Sequence, residues 1–482
     1  MTSPTLKEKT ARGLLWGGLS NGVQQVLNLV FGIFLARMLT PADYGMVAML
    51  TIFSTIAAAL QESGFTFALV NIKDIQHKDY NAVFWFSIGM SLTIYTILFF
   101  CAPLIAYFYE TPELTALARY SFIGFVVSSF GTAQSGFVLK NLMVKQRAIS
   151  EFVGLVVSGC VGLLMAYNGF AYWGIATQSI TYTFVVTLML WYYSSWRPTL
   201  DIDFTPLKSM IGFSIKLLIT RIITQVNNHI YAILLGKFYT KEVVGYYNQG
   251  YKWSSMGGLF ILRMVANVAH PVLTETKNDQ KRQLRTFYKM LSFTAFVSFP
   301  IMFGLGFIAE ELIPIMIKEK WLPCVPIMQL LCISGAFVPL IDMHKNLLVS
   351  RGKSNVYMWN TIAMFIALLI GSLCSYSYGI IPMVTVYVVI SISWLLVWYW
   401  QVQKEIDATF REVLKCIFPY AFVTVFAIAI AWFLTKGMSN MYLILIFKIV
   451  LTAFLYIGIL WIGKSDMLKE AFVFLFKRTK KK

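Results

Sequence analysis

Four basic side chains interrupt stretches of sequence that are otherwise apolar: Lys216, Arg221, Lys252 and Arg263. A charged side chain at the centre of a bilayer costs about 2.5–3.5 kcal/mol on insertion scales, so such residues face protein or water and often mark functional sites. An ammonium or guanidinium group donates hydrogen bonds to carboxylates and phosphates, and a guanidinium can hold a phosphate at two points. These residue types therefore predict a binding site for an anionic ligand.

Side-chain amides accompany these cations. In the first half of the chain they are Asn21, Gln25 and Asn28, and in the second half they are Gln225 and Asn228. At 100° per residue, the amides of the first half fall on one narrow stripe of a helix, which suits the lining of a water-filled cavity. Structural explanations stay open, because amides in spans also join helices by hydrogen bonds and the long stem of Lys216 can carry its charge to the interface.

Two carboxylates, Glu62 and Asp342, also fall inside apolar segments. An acid held within the bilayer can exchange a proton or bind a cation, so both residues are candidates for coupling transport to H+ or Na+. The alternative is that each acid pairs with a neighbouring cation such as Lys345. Histidines and cysteines are scattered, and no Ser/His/Asp or Cys/His arrangement stands out. We therefore predict no catalytic residue, no metal site and no cofactor, and hence no enzyme.

Membrane-spanning helices must position these residues. Over 482 residues the chain is 58% hydrophobic and 13% charged, whereas proteins of the soluble class carry about 25% charged residues. Apolar segments of bilayer length, about 20 residues each, occur fourteen times along the chain. The net charge of +18 would indicate nucleic acid in a soluble protein. Here it follows from the bias of Lys and Arg to cytoplasmic loops, so we predict no nucleic-acid partner.

One stretch of sequence occurs twice, 200 residues apart. Gln25–Gly45 reads QVLNLVFGIFLARMLTPADYG and Gln225–Gly245 reads QVNNHIYAILLGKFYTKEVVG, with seven identical positions and no gap. Self-similarity at a fixed period indicates two structural copies. We therefore predict an all-α polytopic membrane protein of 14 helices. Its predicted parts are residues 1–200 for helices 1–6, 201–405 for helices 7–12, 406–463 for helices 13–14 and 464–482 for a basic amphipathic cytoplasmic tail.

The distribution of basic residues predicts the orientation in the membrane. With the N-terminus inside, 28 Lys and Arg residues fall in cytoplasmic segments and six fall in outer loops, so both termini should be cytoplasmic. Six spans separate the two copies, which gives both copies the same orientation. They are then parallel repeats about an axis along the membrane normal, with the substrate path between them.

The segment Leu35–Gly45, LARMLTPADYG, resembles the signature that ends the first span of Wzx-type polysaccharide and O-antigen flippases. Their superfamily also contains multidrug exporters and the lipid II flippase, and the chain looks most similar to the colanic-acid and teichuronic-acid branch. The resemblance implies two pseudo-symmetric six-helix lobes in a V around a cationic cavity, plus two C-terminal helices. In the repeated copy Leu235, Lys237, Thr240 and Gly245 are kept, whereas Pro, Asp and Tyr are not.

The resemblance also implies partners and a location. The substrate would be a lipid-linked oligosaccharide for polysaccharide or lipopolysaccharide biosynthesis, and polysaccharide polymerase machinery is a candidate partner. The protein would be a multi-pass protein of the bacterial cytoplasmic (inner) membrane, surrounded by membrane lipids. The motif residues themselves have structural explanations, because Pro41 suits the first turn of a helix and Gly45 permits close helix packing.

Residues and resemblance together predict a flippase that moves an undecaprenyl-diphosphate-linked oligosaccharide from the inner to the outer leaflet by alternating access. One alternative is an ion-coupled exporter of drugs or metabolites. Exporters of organic cations need acids that face an apolar pocket, whereas this cavity offers Glu62 against four cations. A second alternative is a membrane enzyme, such as a glycan ligase or polymerase. It would need a long outer loop with acids or Arg, and the longest predicted outer connection has only several residues.

The predicted topology can be tested with reporter fusions. A cytoplasmic reporter joined after residue 280 should be active and a periplasmic reporter at the same position inactive, because an even number of spans precedes that residue. A fusion after residue 169 is the matched control and should give the opposite pattern. A periplasmic signal at residue 280 would contradict both the orientation and the parallel arrangement of the repeats.

Overall fold

The computed structural model describes residues 6–62, 65–66, 69, 72, 74–207, 218, 222, 225–226, 230–276 and 279–470. Within these ranges, the side chains at 6–21, 61–62, 260, 263, 266–268 and 270–271 are not described. Every regular element in the described part is a helix. Packing divides the chain into two compact units, Met1–Gly245 and Tyr246–Lys482. The boundaries predicted from the repeat, at residues 200, 405 and 463, stay predictions.

The first unit has five long helices and three short ones with both ends among the described residues. In chain order they are α1 (Leu6–Met38), α2 (Pro41–Glu62), α3 (His77–Phe108), α4 (Leu114–Ser121), α5 (Ile123–Ser129), α6 (Thr132–Lys140), α7 (Val144–Tyr167) and α8 (Tyr172–Tyr193). Pro41 begins α2, as expected for a helix start. The Thr40 amide donates to Asp43 Oδ2 at 2.8 Å and the Asp43 amide donates to Thr40 Oγ1 at 3.3 Å. This reciprocal pair caps the first turn of α2.

The second unit is also helical throughout its described residues. A helix that begins in the first unit, α9 (Lys241–Glu275), leads into α10 (Gln280–Phe307), α11 (Ala309–Ile317) and a 3-10 turn, Glu319–Cys324. Then follow α12 (Val325–Ser350), α13 (Ser354–Ser375), α14 (Ile380–Ile406), α15 (Phe410–Thr435) and α16 (Met441–Ile462). Most of the predicted amphipathic tail lies outside the described residues.

The predicted count of fourteen spans is supported in part. Ten described helices are long and apolar enough to cross a membrane, or eleven if one bent pair counts as a single span. The apolar part of α1, Gly22–Met38, is shorter, and most of the predicted span at 206–236 lies outside the described residues. The exact number therefore stays a prediction.

The helix in the fourth apolar segment, near residues 115–139, is bent. Leu114–Ser129 and Thr132–Lys140 meet at an angle of 43° and count as one span only if the bent pair is taken together. Trp191 in α8 donates its indole N–H to the Phe130 carbonyl at 2.7 Å. The broken helix is tolerated because a neighbouring helix satisfies a carbonyl that the break sets free.

The two copies of the repeated motif meet within the first unit, where α2 and α9 begin. A Cβ added at Gly45 would lie 2.7 Å from the Lys241 carbonyl carbon, and one added at Gly245 would lie 2.7 Å from the Pro41 carbonyl carbon. Pro41 and Lys241 are equivalent positions of the repeat, as are the two glycines, so the contact is reciprocal, as in an isologous interface. We call residues 41–45 and 241–245 the glycine crossing. It confirms that Gly45 permits close packing.

A buried ion pair joins α16 to the break between α10 and α11. With a mean hydropathy of 2.6, α16 is the most apolar of the candidate spans, yet it contains Lys448, whose side chain is 7% exposed. Lys448 Nζ lies 2.7 Å from Glu311 Oε1 and 4.5 Å from the centre of the Phe307 ring. Because Phe307 ends α10 and Glu311 stands in the first turn of α11, this pair holds the C-terminal helices against the rest of their unit.

We expect Gly45→Ala and Gly245→Ala each to destabilise the protein by about 1–3 kcal/mol, the usual cost of overpacking, because the obstructing atoms belong to backbone. Thermal unfolding of the purified protein in detergent would measure the loss. Gly89→Ala is the matched control, since a Cβ there meets nothing within 4 Å and Ala is the better helix former. Equal thermal unfolding midpoints for all three variants would contradict the close backbone packing at the glycine crossing.

We expect Glu311→Gln or Lys448→Met to destabilise the protein by about 3–5 kcal/mol, because removing one partner leaves a buried charge uncompensated. The reversed pair, Glu311→Lys with Lys448→Glu, should recover much of the loss in membrane abundance and thermal midpoint. Lys415→Met is the control, because Lys415 and Glu412 are about half-exposed and such pairs contribute little. If the double variant is as unstable as Glu311→Lys or Lys448→Glu alone, the ion pair does not stabilise the packing of α16.

Candidate functional site

The described part of the predicted cation site is centred on Lys252 in α9. Asn248, Lys252, Ser255 and Leu259 follow one another at spacings of three and four residues, so they share one side of the helix. All four side chains are partly or largely exposed. The ion pairs found among the described residues do not include Lys252. An ammonium group beside an amide and a hydroxyl, with no carboxylate to neutralise it, can bind an anion.

The opposite side of α9 packs into the second unit. A Cβ added at Gly250 would lie 3.2 Å from the Cys324 carbonyl oxygen, and one added at Gly257 would lie 3.1 Å from the Met302 sulfur. Ile261, on the same side, is fully buried. Small residues thus bring α9 against its neighbours, and the stripe that carries Lys252 is turned away from the core of this unit.

Three amides on α1 have described side chains. One of them makes a structural contact and the other two are exposed. Gln24, which belongs to the same polar stripe, donates its Nε2 to Glu151 Oε2 at 2.9 Å and so links α1 to α7. Nearby, Phe31 fills the space over Gly159, where an added Cβ would lie 2.6 Å from the ring. By contrast, Gln25 and Asn28 are exposed on α1. The structural explanation therefore applies to Gln24, and Gln25 and Asn28 remain candidates for contact with a ligand.

The other predicted site residues are described less fully. Three lie outside the described residues: Lys216, Arg221 and Asn228. Gln225 is described and partly buried. For three more, the structure gives only the backbone position, in α1, at the end of α2 and in α9: Asn21, Glu62 and Arg263. Their convergence on one cavity with Lys252 stays a prediction.

The candidate coupling acid Asp342 has a cationic partner on its own helix. Its Oδ1 lies 3.3 Å from Lys345 Nζ, one helical turn away in α12, and the two side chains are 37% and 26% exposed. Lys345 also lies 5.6 Å from the centre of the Trp398 ring. The sequence left two roles open for Asp342, pairing with a neighbouring cation or coupling to an ion. The structure shows the pairing, and the coupling role stays a prediction.

Sequence patterns did not single out Glu311 and Lys448, the most deeply buried charged pair in the described residues. The sequence does contain one indication of the pair, because a lysine inside a strongly apolar span has a high free energy of insertion and requires a partner. The partner stands 137 positions away, however, and no local spacing connects the two. Only the packing of α16 against α11 reveals the pair.

Comparison with known proteins identifies the family. A family model described as "polysaccharide biosynthesis protein" matches residues 34–326, more than half of the chain. This range contains the whole glycine crossing and Lys252.

Two relatives extend the similarity over most of the chain. The teichuronic acid biosynthesis protein TuaB of Bacillus subtilis is 23% identical over 426 residues, which cover 86% of this chain and 87% of the relative. The lipopolysaccharide biosynthesis protein WzxC of Escherichia coli K12 is 22% identical over 386 residues, 78% of each chain.

Solved structures share the fold. The lipid II flippase MurJ, in an inward closed conformation, matches 94% of this chain and all of its own length, with a TM-score of 0.75 at 15% identity. An inward-facing multidrug transporter of the MATE family matches 80% of this chain with a TM-score of 0.63. The similarity to these structures shows that the chain has the same fold as they do. The match to the family model shows its family. The chain belongs to the polysaccharide biosynthesis protein family.

Proposed function

We propose that this chain is a flippase that moves an undecaprenyl-diphosphate-linked oligosaccharide from the inner to the outer leaflet of the bacterial cytoplasmic membrane by alternating access. The observation that carries the proposal is the fold, which a lipid II flippase shares over 94% of this chain. Membership of a polysaccharide biosynthesis family indicates a glycan as the cargo. Its product would serve the assembly of a cell-surface polysaccharide.

The charges of the candidate site favour a diphosphate over a neutral or cationic cargo. Lys252 stands on the open side of α9 beside Asn248 and Ser255, and Lys216, Arg221 and Arg263 belong to the same copy of the repeat. The equivalent positions of the first copy hold Trp16, Asn21, Ile52 and Ser63. One copy thus supplies cations for the diphosphate or for an acidic sugar. The other supplies amides, which suit sugar hydroxyls, while the lipid tail stays in the bilayer.

The glycine crossing supports the alternating-access part of the proposal. It joins the two motifs at helix ends that, from the distribution of basic residues, we predict to lie on the outer side of the membrane. In the same region Tyr109 packs on Gly236, where an added Cβ would lie 2.6 Å from the ring, and Lys237 Nζ lies 2.9 Å from Glu110 Oε1. We infer that these contacts close the outer side and separate when the cargo leaves.

An ion-coupled multidrug or metabolite exporter is the second candidate, favoured by the similarity to a MATE-family transporter. An exporter of organic cations would use acids, and Glu62 is the one acid predicted on the polar faces. Purified protein in proteoliposomes distinguishes the two functions. A flippase should translocate a lipid-linked oligosaccharide across the proteoliposome membrane and should not transport organic cations.

We expect Lys252→Ala and Arg221→Ala to weaken substrate binding about ten- to a hundredfold, because each removes a hydrogen bond to a charged group worth about 1.5–3 kcal/mol. Arg221→Lys should restore only part of the activity, since an ammonium cannot reproduce a planar two-point contact. The measurement is glycolipid translocation at limiting substrate in proteoliposomes.

Lys281→Ala is the matched control for these variants, because Lys281 is exposed in the first turn of α10, away from the Lys252 stripe. It should translocate as the unchanged protein does. Wild-type rates for Lys252→Ala and Arg221→Ala, at normal abundance in the membrane, would show that the cations serve the scaffold and not the cargo.

Coupling to H+ or Na+ predicts a specific response at the two acids. Glu62→Gln and Asp342→Asn should reduce the dependence of transport on the ion gradient, because an amide keeps the size of the side chain but cannot exchange a proton or offer a full charge to a cation. Imposed proton and sodium gradients across proteoliposomes would measure this. Full gradient dependence in both variants would exclude these residues as the coupling site.

A further inference from the structure

The segment that leaves α8, residues 194–207, folds back onto the beginning of α3. Asn81 holds it at two points, since its Nδ2 donates to the Asp201 carbonyl and its Oδ1 accepts from the Thr199 amide at 2.9 Å. Trp85 Nε1 donates to the Thr199 carbonyl at 2.8 Å, and His77 Nε2 lies 3.1 Å from Thr199 Oγ1. Two turns of α3 therefore fix the path of this segment.

The contacts with α3 set the depth of the segment in the membrane. Trp85 stands eight residues beyond His77, the first residue of α3, or about 12 Å along the axis at 1.5 Å per residue. The 32 residues of α3 span about 48 Å, compared with about 30 Å for the hydrocarbon core, so roughly 9 Å of a centred helix extends at each end. Thr199, bonded to Trp85, therefore lies near the boundary between headgroups and acyl chains.

Aromatic side chains mark the same level. The Trp196 ring lies 5.7 Å from His77 and 5.8 Å from Tyr80, and Arg197 lies 5.7 Å from the Trp191 ring. Tyr192, in the last turn of α8, is 77% exposed. Trp and Tyr gather where membrane helices meet the interface, so the fixed segment lies within the aromatic belt of the first unit.

Three apolar side chains of this segment are exposed: Leu200 at 85%, Ile202 at 50% and Phe204 at 49%. They alternate in sequence with Asp201 and Asp203. The side chain and the amide of Thr205 donate to Asp203 Oδ1, and these hydrogen bonds lower the pKa of the Asp203 carboxyl, with a smaller effect from Lys78. Asp203 therefore stays charged, and apolar and acidic residues alternate along the segment.

We propose that residues 200–204 form an interfacial anchor whose partner is the lipid bilayer itself. Leu200, Ile202 and Phe204 enter the boundary of the acyl chains, and Asp201 and Asp203 remain among the headgroups. The bilayer is the partner because the exposed apolar patch continues the lipid-facing surface of α8 at the depth that α3 sets. The anchor holds the chain at the membrane surface where it leaves α8, and it does not depend on the identity of the cargo.

Site-directed spin labelling of the full chain in liposomes of phosphatidylethanolamine and phosphatidylglycerol tests the anchor. Nitroxides are attached at Leu200→Cys, Ile202→Cys and Phe204→Cys, one at a time. The background carries Cys160→Ser and Cys374→Ser, which remove the two exposed native cysteines, and its residual signal is subtracted. Collision rates with oxygen, which partitions into lipid, and with a water-soluble nickel chelate report the depth. We expect a several-fold higher ratio of oxygen to nickel collisions at these positions than at Lys281→Cys, an exposed control.

A second variant keeps the proposal testable if one labelled position disturbs folding. With the label at Ile202→Cys, adding Leu200→Ser and Phe204→Ser should raise nickel collisions several-fold, because the neighbouring anchors are lost. A nickel accessibility at residues 200, 202 and 204 equal to that of Lys281→Cys, in protein of normal abundance and elution volume, would overturn the proposal. Unchanged collisions in the serine variant would overturn it as well.

Discussion

Close approach of helix backbones at glycine is the contact on which the rest of this structure depends. Lipid tails are as apolar as leucine, so helices in a bilayer gain little from burying apolar surface against one another and associate through tight packing and hydrogen bonds. At Gly45 and Gly245 the opposing atoms belong to the neighbouring backbone, which cannot rotate away as a side chain can. The first turns of α2 and α9 are thereby held together in this conformation.

The charged residues of the spans fall into two groups with different consequences. Glu311 and Lys448 neutralise each other in a place where neither could stay alone, and their pairing offsets the cost of taking two charges out of water. Lys252 stands on an open face without a paired carboxylate among the described residues. A structural role accounts for the pairing of Glu311 with Lys448. No ion pair among the described residues explains Lys252, and a partly exposed cation without one suits the anionic cargo that we propose.

Local patterns in the sequence predicted those features that repeat or that follow helical spacing. The 200-residue repeat identified Gly45 and Gly245 as equivalent positions, and the spacing of Asn248, Lys252 and Ser255 placed them on one face. The bend at Gly131 escaped prediction because its contacts come from another helix. A Cβ added at Gly131 would lie 3.1 Å from Thr187 Oγ1, and Trp191 donates to the Phe130 carbonyl, so both partners belong to α8.

The two sides of α9 have different roles, and this difference explains why the fold is easier to predict than the cargo. Gly250 and Gly257 hold the helix in place from one side, so exchanging them disturbs packing. Lys252 and Ser255 lie on the other side of the helix, where both side chains are partly exposed, and the Ser255 hydroxyl donates to the Lys252 carbonyl at 2.9 Å. Function in such a protein resides in the open side chains and not in the architecture that carries them. If this stripe contacts the proposed cargo, exchanges along it would alter cargo selectivity while the glycine contacts preserve the helix that presents it.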